Sequence, residues 1–271
     1  MSTGGRTPRF PLRLDQVGPS GGSTKTELLR PQAPLQRAHA DAARRAVPTG
    51  LGLDSADVRR RMAQRLQAQG LQHEAVVAAL AAVPRHLFVD AALATQAYED
   101  TSLPIGLGQT ISKPSVVGRM LELLMLGRTA QTAASLGRAL EIGTGCGYQA
   151  ALLGQLSRSV VSIERLKPLH DKARENLAPL RMANLRLVYG DGMRGHPPNA
   201  PYDSIIAAAG GEALPPAWLE QLAVGGRLVA PLQEPRTNRQ VLVVVDRHDG
   251  GYEHRVHETV KFVPLKSGLG G

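Results

Sequence analysis

The chain has 271 residues, 42% of them hydrophobic, and a formal net charge of +9, which is length enough for one large domain or two small ones with a full core. No run of about 18 apolar residues reads as a membrane span, and no apolar stretch near the N-terminus reads as a secretory signal. A single cysteine, Cys146, excludes an intramolecular disulfide and fits a reducing, cytoplasmic compartment, and eight scattered histidines give no metal-ligand spacing.

The charge is uneven. Residues 1–50 carry +5 and the remaining 221 residues only +4. Most of the basicity therefore belongs to a tail, which weakens any case for a nucleic-acid groove on the folded part. Three Phe, five Tyr and one Trp also offer few stacking platforms for bases. Residues 1–53, rich in Gly, Pro, Ser, Ala and Arg without a sustained period, are expected to be a disordered tail.

Order is expected from Asp54 or Ser55, N-cap candidates for a helix with Val58, Met62 and Leu66 on one face and Gly70 just past its end. A second helix carries Val76, Val77, Leu80 and Val83 and stops at Pro84. The Gly/Pro-rich segment 103–114 follows, then a helix from Pro114 with Val117, Met120, Leu121 and Leu124 inward. Residues 127–137 read as a polar connector.

From Arg138 the chain alternates: strand 139–142, helix 148–157, strand 159–163, helix 166–180, strand 185–189, strand 203–207, a short helix from Pro215-Pro216, and strand 227–231. Such alternation specifies a mostly parallel sheet with helices on both faces. Strands 240–246 and 252–262 flank Asp249-Gly250-Gly251, the signal of a closing antiparallel hairpin.

The run Leu140-Glu141-Ile142-Gly143-Thr144-Gly145-Cys146-Gly147-Tyr148-Gln149 joins the first strand of this core to its helix. Alternate glycines permit positive φ and close approach of a ligand, and the helix start supplies free N–H groups and a positive dipole end. A dinucleotide fingerprint would want its third glycine at 148, where Tyr148 stands. The spacing Glu-x-Gly-x-Gly-x-Gly instead resembles that of S-adenosylmethionine-dependent methyltransferases, which implies their Rossmann-like fold. Ligands in open α/β sheets bind beyond the carboxyl ends of the strands. There the second strand ends at Glu164, placed to accept from both ribose hydroxyls, and the third is followed by Gly190-Asp191-Gly192, placed to accept from an adenine amine. Alternatively, Glu164 pairs with Arg165 or Lys167, and Gly-Asp-Gly is only a turn. Cys146 reads as a small loop residue with no base beside it.

A second segment, Leu103-Pro104-Ile105-Gly106-Leu107-Gly108-Gln109-Thr110-Ile111-Ser112-Lys113-Pro114, closely resembles Pro-Ile-Gly-x-Gly-Gln-Thr-Ile-Ser-x-Pro of protein-L-isoaspartate (D-aspartate) O-methyltransferases. Val83-Pro84-Arg85-His86-Leu87-Phe88-Val89, Tyr98-Glu99-Asp100, Ser162-Ile163-Glu164-Arg165, Gly225-Gly226-Arg227-Leu228-Val229 and Phe262-Val263-Pro264-Leu265 are similar to that family too. The likeness runs over roughly 55–268. It divides the domain 54–271 into an N-terminal helical and substrate segment, 54–137, and a cofactor-binding α/β core, 138–271.

The resemblance implies methyl transfer from S-adenosylmethionine to the α-carboxylate of L-isoaspartyl and D-aspartyl residues in damaged proteins and peptides, followed by uncatalysed succinimide formation. It implies that Ser112 is the active-site residue. Gln109, Thr110 and Ile111 would line the pocket, with Glu141, Gly143, Thr144, Gly145, Gly147, Glu164, Arg165, Asp191 and Gly192 on the cofactor. No nucleic acid or membrane partner is expected, and a monomer is. No base is needed, because a carboxyl with a pKa near about 4 is already ionised at neutral pH and the cofactor carries a sulfonium leaving group. Catalysis reduces to alignment. Ser112, just before Lys113-Pro114, is equally a candidate helix N-cap. Cys146 replaces a common serine, and Lys266 stands where some relatives have a hydroxyl residue, so 266 is left out of the site. Two other readings compete. One is another S-adenosylmethionine-dependent methyltransferase, acting on nucleic acid or a small molecule; against nucleic acid stand Ile206-Ala207-Ala208-Ala209-Gly210 in place of an Asn/Asp-Pro-Pro-aromatic loop and a sole cysteine that lies in the cofactor loop. The other is a non-catalytic cofactor-binding adaptor.

Overall fold

The computed structural model describes residues 56–234, 237 and 239–270. The segment 1–53 and the expected cap residues Asp54 and Ser55 lie outside the described residues. Helix α1 (Ala56–Ala68) buries Met62, Ala63 and Leu66. It closes as expected at Gly70, whose φ of +111° lets the Leu71 N–H donate back to the Leu66 carbonyl at 3.1 Å. Helix α2 (Glu74–Ala82) buries Val76, Ala79 and Leu80 and ends ahead of Pro84.

The segment 103–114, to which the sequence reading gave no element, contains the antiparallel pair β1 (Leu103–Gly106) and β2 (Gln109–Ile111). Its tip turns through three successive left-handed residues, Gly106, Leu107 and Gly108. Helix α3 (Pro114–Met125) follows with Pro at its start. Ser112 is not its cap: Lys113 occupies that position without a side-chain bond. Asp100 takes the role from a distance, accepting from the Ser115 N–H at 2.9 Å and from its hydroxyl at 2.8 Å. The stretch read as a polar connector contains helix α4 (Arg128–Ala133). A tertiary anchor overrides its weak periodicity, for Ala130 is buried and the Thr129 hydroxyl donates to the Gly225 carbonyl at 2.7 Å.

The core then alternates as expected: β3 (Arg138–Ile142), α5 (Tyr148–Leu156), β4 (Ser159–Glu164), α6 (Lys167–Leu177), β5 (Leu185–Tyr189), β6 (Tyr202–Ala207), α7 (Pro216–Gln221), β7 (Leu222–Gln233), β8 (Gln240–His248) and β9 (Gly251–Val260). Helix α6 stops short of residue 180 because Ala178–Leu180, with Pro179, tighten into a 3-10 turn. The sheet order is β5-β4-β3-β6-β7-β8-β9. Strands β3 to β7 pair in parallel, and β8 and β9 add the antiparallel hairpin.

One face of the sheet packs Ala139, Val160, Ile206 and Val229 against α1, α2, α3, α5 and the Ala173–Leu177 side of α6. The other face packs Leu140, Ile142, Ile205 and Leu228 around Trp218 of α7. The Trp218 indole N–H donates to the Gly192 carbonyl at 2.8 Å, tying that layer to the loop after β5. Because the chain leaves β3 toward β4 on one side and reaches β6 on the other, the crevice at the carboxyl end of β3 is the switch point where ligands bind.

Candidate active site

The three glycines after β3 have φ of +89°, +56° and +94° at Gly143, Gly145 and Gly147, conformations that disfavour any L side chain. Their tasks differ. A Cβ on Gly145 would sit 3.2 Å from Ile105 of the β1–β2 hairpin, whereas one on Gly147 would meet Leu177 of α6 at 2.9 Å. The third glycine therefore serves helix packing. The Gly143 N–H donates to the Ile163 carbonyl at 2.9 Å, holding the loop to β4.

Glu164, 5% exposed at the end of β4, clamps that loop. One carboxylate oxygen accepts from the Gly145 N–H at 2.9 Å and the other from the Leu166 N–H at 2.9 Å. The surface pairing with Arg165 or Lys167 is not what forms: Lys167 pairs with Asp171, and Arg165 Nε donates to the Gly268 carbonyl at 2.8 Å.

A cavity of about 560 Å³ opens between this loop and the hairpin. On the hairpin side Gln109, Thr110, Ile111 and Ser112 line it; opposite lie Gly143, Thr144, Gly145, Glu164, Arg165 and Gly192. Ser112 is partly exposed, and its hydroxyl makes no hydrogen bond among the described residues, while its carbonyl accepts from Arg85 Nη2 at 2.8 Å. Burial pushes the Cys146 thiol up to about 11, so it stays a neutral thiol, in keeping with its reading as a loop residue.

Three expected contact residues do not line the cavity: Gly147, Glu141 and Asp191. Glu141 lies one residue inside β3, opposite Ser162 of β4, and is fully buried. The Ser162 hydroxyl donates to it, and the Thr144 hydroxyl meets Ser162 Oγ at 2.5 Å. Glu141 thus underpins the loop from below. Burial raises its pKa from 4.5 to about 8; the Ser162 hydroxyl and the Gln149 amide oppose the shift, and the charge of Glu164 adds to it.

Folding therefore takes up a proton at Glu141 between these two values, and stability falls as pH rises through about 8. At about 1.4 kcal/mol per pKa unit, the loss amounts to a few kcal/mol. Glu141→Gln, which mimics the neutral acid, is expected to melt above the wild type at pH near 8.5 and close to it at pH near 5. Thermal melts across that range check this, and parallel curves for the two proteins would refute it.

Asp191 is occupied by the C-terminal segment. One oxygen accepts from the Met193 N–H at 3.0 Å and the other from the Gly268 N–H at 2.8 Å. The Gly270 N–H donates to the Arg165 carbonyl at 2.9 Å, and Lys167 N–H to the Gly270 carbonyl at 3.1 Å. Residues 268–270 so bridge the ends of β4 and β5. Sequence reasoning missed this strap, although its glycines were a signal: a Cβ on Gly270 would stand 2.7 Å from Leu166 Cδ2. It also missed Ala208 and Ala209 beyond β6, and Leu265 and Lys266, all of which line the cavity. The end of β6, the far side of the switch point, was the available clue.

The sequence profile of the family described as Protein-L-isoaspartate(D-aspartate) O-methyltransferase matches residues 57–270. A protein-L-isoaspartate O-methyltransferase of Methylibium petroleiphilum is 65% identical over 270 residues, covering 99% of each chain. That of Leptothrix cholodnii is 59% identical over 272 residues, covering 97% of this chain and 95% of the relative. Among solved structures, a protein-L-isoaspartate O-methyltransferase superposes with a TM-score of 0.69 at 27% identity, covering 78% of this chain and 67% of that one. A Plasmodium falciparum protein of the same description, in complex with S-adenosyl-L-homocysteine, shares the fold with a TM-score of 0.67 at 23% identity, over 77% of this chain and 98% of that one.

Proposed function

The chain belongs to the protein-L-isoaspartate(D-aspartate) O-methyltransferase family, and from that we infer that it methylates the α-carboxylate of L-isoaspartyl and D-aspartyl residues in damaged proteins, using S-adenosylmethionine. The observation that carries this reading is the meeting of Gln109-Thr110-Ile111-Ser112 with the glycine loop and Glu164 across one cavity. Its volume, about 560 Å³, lies within the range usual for small-molecule sites.

The residues present fit the cofactor. Paired acceptor oxygens of Glu164 suit vicinal ribose hydroxyls, the Gly143–Gly145 backbone leaves room for the methionine moiety, and Ile142, Ile163, Leu169 and Leu265 give the cavity an apolar wall. The cofactor supplies an electrophilic methyl on a cationic sulfur, so a carboxylate oxygen displaces a neutral thioether and no proton moves. The chain's task is then orientation. Ser112 donates to one carboxylate oxygen, which leaves the other free to attack. Glu164 fixes the loop and the ribose. Asp191 stands behind the cavity wall, bonded to Met193 and Gly268, and holds the loop whose Gly192 lines the cavity. Glu141 and Gly147 support the loop without touching the ligand.

The reading also takes the protein as a cytoplasmic monomer with no nucleic-acid partner, with the catalytic unit in 54–271. The concentration of positive charge in residues 1–50 supports the nucleic-acid part of this reading, since it leaves little basic surface on the folded part. No helix among the described residues is long and apolar enough to cross a membrane. Methyl transfer to an isoaspartyl peptide beside its aspartyl twin tests the function: only the first should be methylated, equally by the full chain and by residues 54–271. Equal methylation of both peptides would refute the reading, and loss of activity in the shorter chain would refute the boundary.

A further inference from the structure

Arg85, in the segment Val83-Pro84-Arg85-His86, has no part in the mechanism above. It is fully buried, 0% exposed. Its hydrogen bonds go to main-chain carbonyls: Nη2 donates to Ser112 at 2.8 Å and to Thr101 at 3.4 Å, while Nε and Nη1 have no partner. The guanidinium lies over the Tyr148 ring, 4.7 Å from its centroid, and Phe88 meets the same ring edge-on at 5.6 Å. Its neighbours do not neutralise it, since burial pushes Tyr148 up to about 12 and Cys146 up to about 11. Asp100, whose charge favours the cation, is already bonded to Ser115.

A buried charge without a carboxylate partner is costly, and apolar side chains of similar volume commonly serve stability as well or better. Stability alone gives no reason for arginine here. What arginine does, and an apolar side chain does not, is grip three elements at once. Ser112 directly follows β2, Thr101 leads into β1, and Tyr148 is the first residue of α5, directly after the glycine loop. Ser112 is held at this point by its carbonyl, and its hydroxyl projects from the same residue.

We propose that Arg85 is the positioning residue for Ser112: its Nη2 holds the Ser112 carbonyl while its flat guanidinium lies over Tyr148, setting the hydroxyl-bearing residue after β2 against the start of the cofactor-loop helix. The inference rests on the functional reading given above. Arg85 does not touch the reacting atoms. It acts on turnover through Ser112 and leaves cofactor affinity to Glu164 and the glycine loop.

The test uses the full chain with Arg85→Met and Arg85→Lys, each alone and combined with Ser112→Ala. It reads kcat and KM for an isoaspartyl peptide, Kd for S-adenosylhomocysteine and the melting temperature. Arg85→Met is expected to stay folded and to bind S-adenosylhomocysteine within about twofold of wild type, while kcat falls about tenfold, as misalignment does. Lysine, which keeps a charged donor but not the flat group over Tyr148, should restore part of the loss. In the Ser112→Ala background Arg85→Met should cost less than about threefold more, because residues acting as one unit are not additive.

A kcat within about twofold of wild type for Arg85→Met, or an undiminished loss in the Ser112→Ala background, overturns the proposal. If Arg85→Met does not fold, Arg85→Lys decides by the same criteria. Should both variants unfold, or lose S-adenosylhomocysteine binding in step with kcat, Arg85 supports the fold and the proposal fails. A wild-type protein inactive on isoaspartyl peptide would defeat the functional reading itself, a different result from an active protein indifferent to Arg85.

Discussion

Ser112→Ala is expected to lower turnover of an isoaspartyl peptide by about tenfold to a hundredfold, since small misplacements are expensive in a reaction that depends on alignment. That range corresponds to roughly 1.4–2.7 kcal/mol of transition-state stabilisation. The sequence left a rival role open, an N-cap worth about 1 kcal/mol of stability. The structure removes it: Lys113 stands at the cap position of α3, and Asp100 makes the bonds to Ser115. The melting temperature should therefore scarcely move in Ser112→Ala, with a stability change within about 0.5 kcal/mol, as for substitutions that break no packing or bond. Cofactor affinity should hold as well, because Glu164 and the glycine loop are untouched. No base is lost, so raising pH above neutrality should not restore activity. Steady-state kinetics with a melting curve check the whole pattern, and near-wild-type turnover by a folded Ser112→Ala protein would leave Ser112 without a catalytic role.

Regular alternation made most of the core legible in the sequence. Apolar strands separated by amphipathic helices of ordinary length leave few options besides a parallel sheet, and Asp249-Gly250-Gly251 marked the hairpin that closes it. Local pattern failed where tertiary contacts decide the outcome. Helix α4 forms in a polar stretch because Thr129 is anchored on Gly225, a residue 96 positions away. The β1–β2 hairpin forms in a Gly/Pro-rich run where no element was placed, because its left-handed tip residues permit the turn.

The site shows the same division. Positive φ at Gly143, Gly145 and Gly147 could be anticipated from their spacing, but which of them faces a ligand could not. Leu177, which Gly147 admits, comes from a helix 30 residues on. The resemblance assigned Glu141 and Glu164 alike to the cofactor, as acids near the ends of neighbouring strands. One residue of register separates them: Glu141 falls inside β3 beneath the loop, and Glu164 stands at the rim of the cavity. The strap at 268–270 makes its contacts through main-chain groups, so its glycines were the one trace it left, and they do not say what they approach.

Glu164→Ala should carry the largest effect on cofactor binding. Hydrogen bonds to a charged acceptor contribute about 1.5–3 kcal/mol, so affinity for S-adenosylhomocysteine is expected to fall by roughly ten- to a hundredfold or slightly more. The geometry adds a second loss. Glu164 also accepts from the Gly145 and Leu166 N–H groups at 2.9 Å each, and removing it leaves two backbone donors in a partly buried loop without their partner. The apo protein should melt earlier, and S-adenosylhomocysteine, which stabilises only in proportion to its affinity for the folded state, should raise the melting temperature much less than in the wild type. Glu164→Gln separates the two roles. Its amide oxygen can serve one backbone donor, while its NH₂ faces the remaining groups as a donor. It should recover part of the apo stability and little of the affinity. Calorimetry on both variants decides the matter: unchanged affinity in a folded Glu164→Ala protein would confine Glu164 to holding the loop and leave the ribose to other residues.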